Sequence, residues 1–255
     1  FEGPYFTTQH KGAQNPAYMT DPNVQEFENW NQAAHGMIRK IAVAPEREGS
    51  IEFIGALTNR GITVALGHSN ATLAQATAAV EAGATVFVHT FNGMSPFNHR
   101  EPGMVGAALS LPNTYAELIC DGHHVHPTAA KILIQSKGTA HTVLITDAMR
   151  AAGMPDGDYM LGEFPVRVEG GAAHLKEGNS LAGSVLMLKD AVKNVVDWGI
   201  ATPEEALMMA TLTAAKSVNI DDRCGQIKEE YSADFIVLSP DMQLSEVYVD
   251  GERAI

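Results

Sequence analysis

The chain has 255 residues, enough to bury a substantial core as one α/β domain or as a large domain with a small appendage. Hydrophobic residues make up 45% and charged residues 18%, and the formal net charge is -13, which argues against general binding to nucleic acid or to an anionic membrane. Only two cysteines occur, Cys120 within an apolar run and Cys224, so a buried thiol and a reducing, cytoplasmic compartment are expected rather than a disulfide framework. No apolar run approaches the ~20 residues of a membrane span, and no signal peptide is visible.

The chain opens on Phe1-Glu2-Gly3-Pro4 without an initiator Met, in what reads as the end of a strand, so the fold is expected to begin mid-way. Residues 3–22 carry Gly, Pro, Asn and Thr at loop density. A helix is expected over 24–34 and a strand over 38–43, stopped by Ala44-Pro45. Residues 50–59 have helical spacing, with Ile51, Ile54 and Leu57 on one side and Gly61 as the stop. Strand 63–66, helix 71–82 and strand 85–88 follow, and each of those two strands is succeeded by a histidine, His68 and His89. Residues 93–106 read as a second Gly/Pro-rich loop, containing His99, Arg100 and Glu101. Strand 115–120 runs into Asp121-Gly122-His123-His124, Pro127 opens a helix to 135, and strand 142–146 ends on Asp147. Further on, 163–176 reads as a hairpin turning at Gly170-Gly171, and 185–198 as an amphipathic helix. Thr202-Pro203-Glu204-Glu205 is a capping box opening a helix to about residue 218. Residues 234–238 and 246–249 are two final strands.

Apolar strands alternating with helices every 20 to 30 residues are the period of βα units. The strands lack strict polar alternation, as expected when both faces of a parallel sheet are covered. Polar, reactive groups follow nearly every strand rather than one switch point, which favours a barrel. About six barrel strands are counted, including the one ending at Glu2, so a TIM-type (β/α)8 barrel without its first strands is expected over residues 1–219. The strands of residues 220–255 are assigned to part of a small β-sandwich domain.

The groups at strand ends are Glu2, His68, His89, His124 and Asp147. Glu with two His is a common set for Zn²⁺ or another divalent ion, with positions left open for water or substrate. Such an ion lowers the pKa of water to ~7 and polarises a carbonyl, and a nearby carboxylate outside the ligand set, here Asp147, can move the proton. The competing readings are structural. A strand-end His can be a packing residue, Asp147 can cap a helix, and Arg100 with Glu101 can be a solvated surface pair. His10, His35, His141 and His174 have no comparable placement and read as surface residues.

FEGP, KGAQNP, GHSNAT, HTFNGM with REPG, DGHHV, TDAM and LAGS, in that order, closely resemble the N-acetylglucosamine-6-phosphate deacetylase family of the amidohydrolase superfamily. The resemblance runs from Phe1 to the final VYVDG. It implies a metal-dependent hydrolase barrel that removes the acetyl group of N-acetyl-D-glucosamine 6-phosphate. It assigns Glu2, His68 and His89 to the metal and Asp147 to general acid/base work. Asn92, Gly93, Arg100 and His124 match positions that hold the sugar phosphate, and Leu181 one near the acetyl group. Gln14 stands at a substrate-facing position where many members carry His. The implied cofactor is one or two divalent ions, Zn first and Fe, Co or Mn as alternatives. The implied partners are the small amino-sugar phosphate and a second copy of the chain in a homodimer. The rival readings are another amidohydrolase acting on a related N-acetyl sugar or a cyclic amide, and a catalytically silent sugar-phosphate-binding protein.

Overall fold

Five parallel strands carry the molecule, and the reason for the parallel arrangement lies in what separates them. A computed structural model describes residues 1–178 and 180–255. After helix α1 (Val24–Ala33), strand β1 (Lys40–Val43) is joined through helix α2 (Ser50–Thr58) to β2 (Thr63–Leu66). Helix α3 (Leu73–Glu81) leads to β3 (Val86–Phe87), α4 (Gly103–Ser110) to β4 (Tyr115–Ile119), and α5 (Pro127–Lys137) to β5 (Thr142–Ile145). Each crossover is long enough to return the chain to the same end of the sheet, so neighbours run parallel, and they pair in sequence order, β1-β2-β3-β4-β5. Glu2 adds a parallel bridge to Ala42 on the outer side of β1, giving six parallel segments where a closed barrel has eight. This is the barrel architecture expected from the strand spacing.

Helix starts follow local chemistry. Thr72 and Gln75 form a reciprocal capping box at α3, and Asn23 caps α1 by accepting from the Glu26 amide at 3.0 Å. Pro127 occupies the first turn of α5. The core runs along the helix-facing side of the sheet. Phe27, Ile41, Val43, Phe53, Ile54, Leu57, Val64, Leu66 and Phe87 are all buried around β1–β3. Leu118, Ile119, Cys120, Leu133 and Leu144 continue that core around β4 and β5. Cys120 is fully buried, as its apolar run implies.

Beyond the parallel sheet, β6 (Gly157–Leu161), β7 (Phe164–Glu169) and β8 (Ala172–Leu175) form an antiparallel three-stranded sheet. Helices α6 (Leu188–Asp197), α7 (Pro203–Ala210) and α8 (Leu212–Ser217) follow. A last antiparallel sheet is built from β9 (Phe235–Leu238), β10 (Leu244–Val249) and β11 (Glu252–Arg253). Among the described residues no helix is long and apolar enough to cross a membrane.

Three sequence expectations are corrected here, and a fourth is extended. The stretch read as a loop through residue 106 contains the start of α4 at Gly103, whose φ of +60° hides a helix start behind a Pro-Gly signature. The hairpin expected at residues 163–176 is present as β7 and β8, turning at Gly170-Gly171, and β6 extends it to a third strand by pairing with β7 from Gly157 to Leu161. The helix placed over 185–198 begins at Leu188. The helix placed from Thr202 to residue 218 is two helices, broken at Thr211 with φ -126° and ψ -87°.

Candidate active site

Two residues beyond the last residue of β2 stands His68, and two beyond β3 stands His89. Leu66 and Phe87 are register partners, so the two histidines leave the sheet side by side. Both turn on left-handed backbone, with φ of +46° and +26°, as does Asp147 after β5 with φ +49°. Non-glycine residues rarely adopt this conformation, and it concentrates at functional sites. Gly12 and Gly93 leave space for the His68 ring, since a Cβ on them would lie 3.0 Å from its Cε1 and 3.1 Å from its Nδ1. Phe6 stacks on the same ring with centroids 4.4 Å apart.

The ring nitrogens are individually constrained. His68 Nδ1 lies 2.6 Å from the carbonyl oxygen of His10, and His89 Nδ1 lies 3.1 Å from that of Asn92. A carbonyl only accepts, so each Nδ1 carries its proton and each neutral ring turns a lone pair outward at Nε2. Those lone pairs meet each other at 3.0 Å and the Glu2 carboxylate oxygen Oε1 at 3.0 Å and 2.9 Å. Three acceptors converging at this distance require a cation between them. A divalent ion with ligands at about 2.0–2.2 Å spans such a triangle. The donor set therefore fits a metal, and these three residues form the one candidate metal cluster among the described residues.

Burial alone would lower the pKa of His89, but its hydrogen bond to the Glu2 carboxylate and the nearby negative charge push it up to about 9. For Glu2, burial pushes upward, and the hydrogen bonds from His68 and His89 overcome it and hold the carboxyl far below the usual range. Asp147 behaves in the opposite way. Burial and then the Glu2 charge raise its pKa, against the opposing influence of His89, His124 and His68. A carboxyl with raised proton affinity beside a metal cluster is suited to carry a proton between two groups.

Glu2, His68 and Asp147 line one cavity of about 440 Å³, together with Gln14, Asn15, Tyr18, Met149, Gly183 and the turn from Leu161 to Phe164. The far wall is tied across by Glu163, which accepts from Asn15 Nδ2 at 2.7 Å and from the Tyr18 hydroxyl at 3.0 Å. Gln14 is the one proposed substrate residue on this wall, and its Nε2 donates to the Glu2 carbonyl at 3.3 Å. Asn92 and Gly93 pack around the histidines rather than line the cavity. His124 is close enough for its charge to act on Asp147, and its Nδ1 lies 2.6 Å from the Asp121 carboxylate, both side chains being nearly buried. Leu181 bridges to His174 at the edge of the β6–β8 sheet. Arg100 is exposed and lines a second cavity with Asn70, Asn98 and Glu101.

Sequence reasoning missed three contributors. His10 reads as a surface residue from the sequence, yet its backbone carbonyl fixes the His68 ring; a main-chain role leaves no signal in residue type. Asp121, followed by Gly-His-His, carries an Asx-turn signal, and its Oδ1 accepts from the His123 and His124 amides at 2.8 Å. Glu46, just past β1, holds the turn after His68, and its strand-end position was the available clue.

A partial parallel (β/α) barrel with imidazoles and carboxylates gathered at the strand carboxyl ends has its reactive groups where barrel enzymes place their active sites. Comparison narrows this. The model of the Amidohydrolase family matches residues 2–254, and the chain belongs to that family. It is 42% identical over 250 residues to an N-acetylglucosamine-6-phosphate deacetylase of Vibrio furnissii, covering 98% of this chain and 62% of that protein. It is equally 42% identical over 253 residues to an N-acetylgalactosamine-6-phosphate deacetylase of Escherichia coli O157:H7, covering 99% of this chain and 67% of that protein. Among solved structures, a mutant N-acetyl-D-glucosamine-6-phosphate deacetylase from Mycobacterium smegmatis, in complex with N-acetyl-D-glucosamine-6-phosphate, superposes with a TM-score of 0.93 at 34% identity. That match covers 99% of this chain and 67% of the other. The chain thus spans about three fifths to two thirds of the length of its relatives.

Proposed function

We propose that this chain carries the catalytic centre of a metal-dependent deacetylase acting on an N-acetylhexosamine 6-phosphate, with N-acetyl-D-glucosamine 6-phosphate as the first substrate and acetate and the free amine as products. The carrying observation is the triangle of Glu2 Oε1, His68 Nε2 and His89 Nε2, with Glu2 and His68 opening onto the same cavity as Asp147. A divalent ion, zinc first, fits the triangle and when bound polarises the amide carbonyl and lowers the pKa of water. Asp147 takes the proton of the attacking water and returns it to the departing nitrogen, a cycle suited to its raised proton affinity. Gln14 faces the substrate from the cavity wall, its amide able to donate to a carbonyl or hydroxyl. His124 and Arg100 hold the phosphate, with Asn92, Gly93 and Leu181 completing the substrate contacts. The placement of Arg100 on a second cavity fits a phosphate contact made between copies of a homodimer. The reading includes a cytoplasmic location and a division into a barrel unit through residue 219 and a small β unit from residue 220.

The equal similarity to a galactosamine-type deacetylase supports a second reading for the hydroxyl configuration at C4. Acetate release should therefore be assayed on both epimeric 6-phosphates and on the unphosphorylated sugars, with the full-length zinc-loaded protein. Asp147→Asn is expected to keep metal binding and to lower turnover by about 10²-fold or more, the scale of general acid–base catalysis. Near-normal turnover in that variant, or equal rates on phosphorylated and unphosphorylated sugars, would refute the corresponding part of the assignment.

A further inference from the structure

The left-handed turn at His68 is gripped from a side that the three ligands do not touch. Glu46, half-buried three residues beyond the end of β1, sends its carboxylate across to the turn. Its Oε2 accepts from the Ser69 hydroxyl and its Oε1 from the Asn70 amide, both at 2.7 Å. Ser69 is fully buried, and its Oγ also accepts from the Ala71 amide at 3.0 Å, so one carboxylate fixes three consecutive residues after the histidine. Asn70 Oδ1 in turn meets His10 Nε2 at 3.1 Å, and the His10 carbonyl is the group that orients the His68 ring. The circuit from Glu46 through Ser69, Asn70 and His10 thus closes on His68 Nδ1.

We infer that Glu46 is a positioning residue for the His68 ligand: it locks the Ser69–Asn70 turn so that His68 Nε2 stays aimed at Glu2 and His89 before any ion arrives. The inference rests on the metal reading of the proposed function but not on the substrate, so loss of deacetylation by itself leaves it standing. Outer-shell partners of metal-bound histidines typically contribute about 10- to 100-fold to metal affinity.

The test uses the full-length protein, with Zn²⁺ alone as probe in competition with a chromophoric chelator, and the visible spectrum of the Co²⁺ form. Glu46→Gln keeps the shape but puts a donor where an acceptor is needed, and Ser69→Ala removes one of the two bonds without touching Glu46. Glu46→Gln should weaken Zn²⁺ binding by about 10- to 100-fold and alter the Co²⁺ spectrum, with Ser69→Ala intermediate, while the metal-free proteins melt close to wild type. Zn²⁺ affinity within about twofold of wild type in both variants overturns the assignment. So does an unchanged Co²⁺ spectrum accompanied only by a general fall in the melting temperature of the metal-free protein.

Discussion

The seam directly beneath the two histidines offers a perturbation whose size follows from the geometry. Gly67 precedes His68 and Val88 precedes His89, and a Cβ built on Gly67 would lie 2.0 Å from Val88 Cγ2. Gly67 does not occupy left-handed backbone, so Gly67→Ala is strained only by that contact. Val88 is 3% exposed and packs with Phe6, Ala42, Ala65 and Val86, so it has little room to retreat. Overpacking of this kind costs about 1–3 kcal/mol, against a gain of about 0.4–1 kcal/mol from the stiffer unfolded chain. Gly67→Ala should therefore destabilise by up to about 2.6 kcal/mol, which for a chain of this length is a fall of up to several degrees in melting temperature. Val88→Ala removes two methyl groups and leaves a small cavity, costing about 2–3 kcal/mol. In that background the nearest Val88 atom to the new Cβ is the old Cβ position at 3.5 Å, an ordinary contact, so Gly67→Ala should become stabilising. Urea unfolding of the four metal-free proteins gives the coupling, expected at about 1–3 kcal/mol. A substitution at residue 67 that has the same sign and size in both backgrounds would refute the seam as described. Because Phe6 also stacks on His68, the single variant should weaken Zn²⁺ binding as well.

Two other expectations concern groups outside the Glu2–His68–His89 cluster. Burial pulls the Lys137 ammonium, which donates to the Leu111 carbonyl and Thr114 hydroxyl, down to about 8 from 10.5. Below pH 8 both states are protonated, and between about 8 and 10.5 the unfolded chain binds more protons, so this group adds stability as pH rises across that window. Lys137→Met should lack the rise, and a wild-type minus variant difference that stays flat from pH 7 to 10 would contradict it. Glu163→Ala cuts both bonds that close the cavity wall, and because the partners are exposed the melting temperature should hardly move. Amide exchange at residues 161–164 and 15–18 should quicken instead, and unchanged exchange there would mean that the wall is held by packing alone.

How much of this was legible beforehand depended on whether a feature repeats. The strand–helix period and the residue types at strand ends repeat along the chain, so β1 to β5 and the trio of Glu2, His68 and His89 could be placed from the sequence. Helix α4 could not, because its first residue is a left-handed Gly behind Glu101-Pro102, the usual mark of a loop. Strand β6 reads as Gly-Asp-Tyr-Met-Leu, where a half-exposed alternation is set by pairing with β7 and not by local propensity. The break at Thr211 lies within a continuous helical pattern. Main-chain contributions from His10 and Asn92 carry no residue signature at all.

The way four reactive groups reach one place follows from strand register. Ala42, Ala65, Val86 and Tyr115 are successive register partners, and Glu2 bridges to Ala42 on the same level. His68 and His89 each stand three residues above that level. Thr142 pairs with Ala116, one residue above it, so Asp147 stands six above. Across the five steps from the Glu2 segment to β5 the reactive positions therefore climb by about one residue per strand. That slope is the stagger of an eight-stranded barrel with a shear of about eight, in which positions climbing at this rate lie in one layer across the tilted strands. Glu2, His68, His89 and Asp147 are then a single layer at the carboxyl end, and register, more than any loop, brings three acceptors to 3.0 Å and sets the Asp147 carboxyl near them.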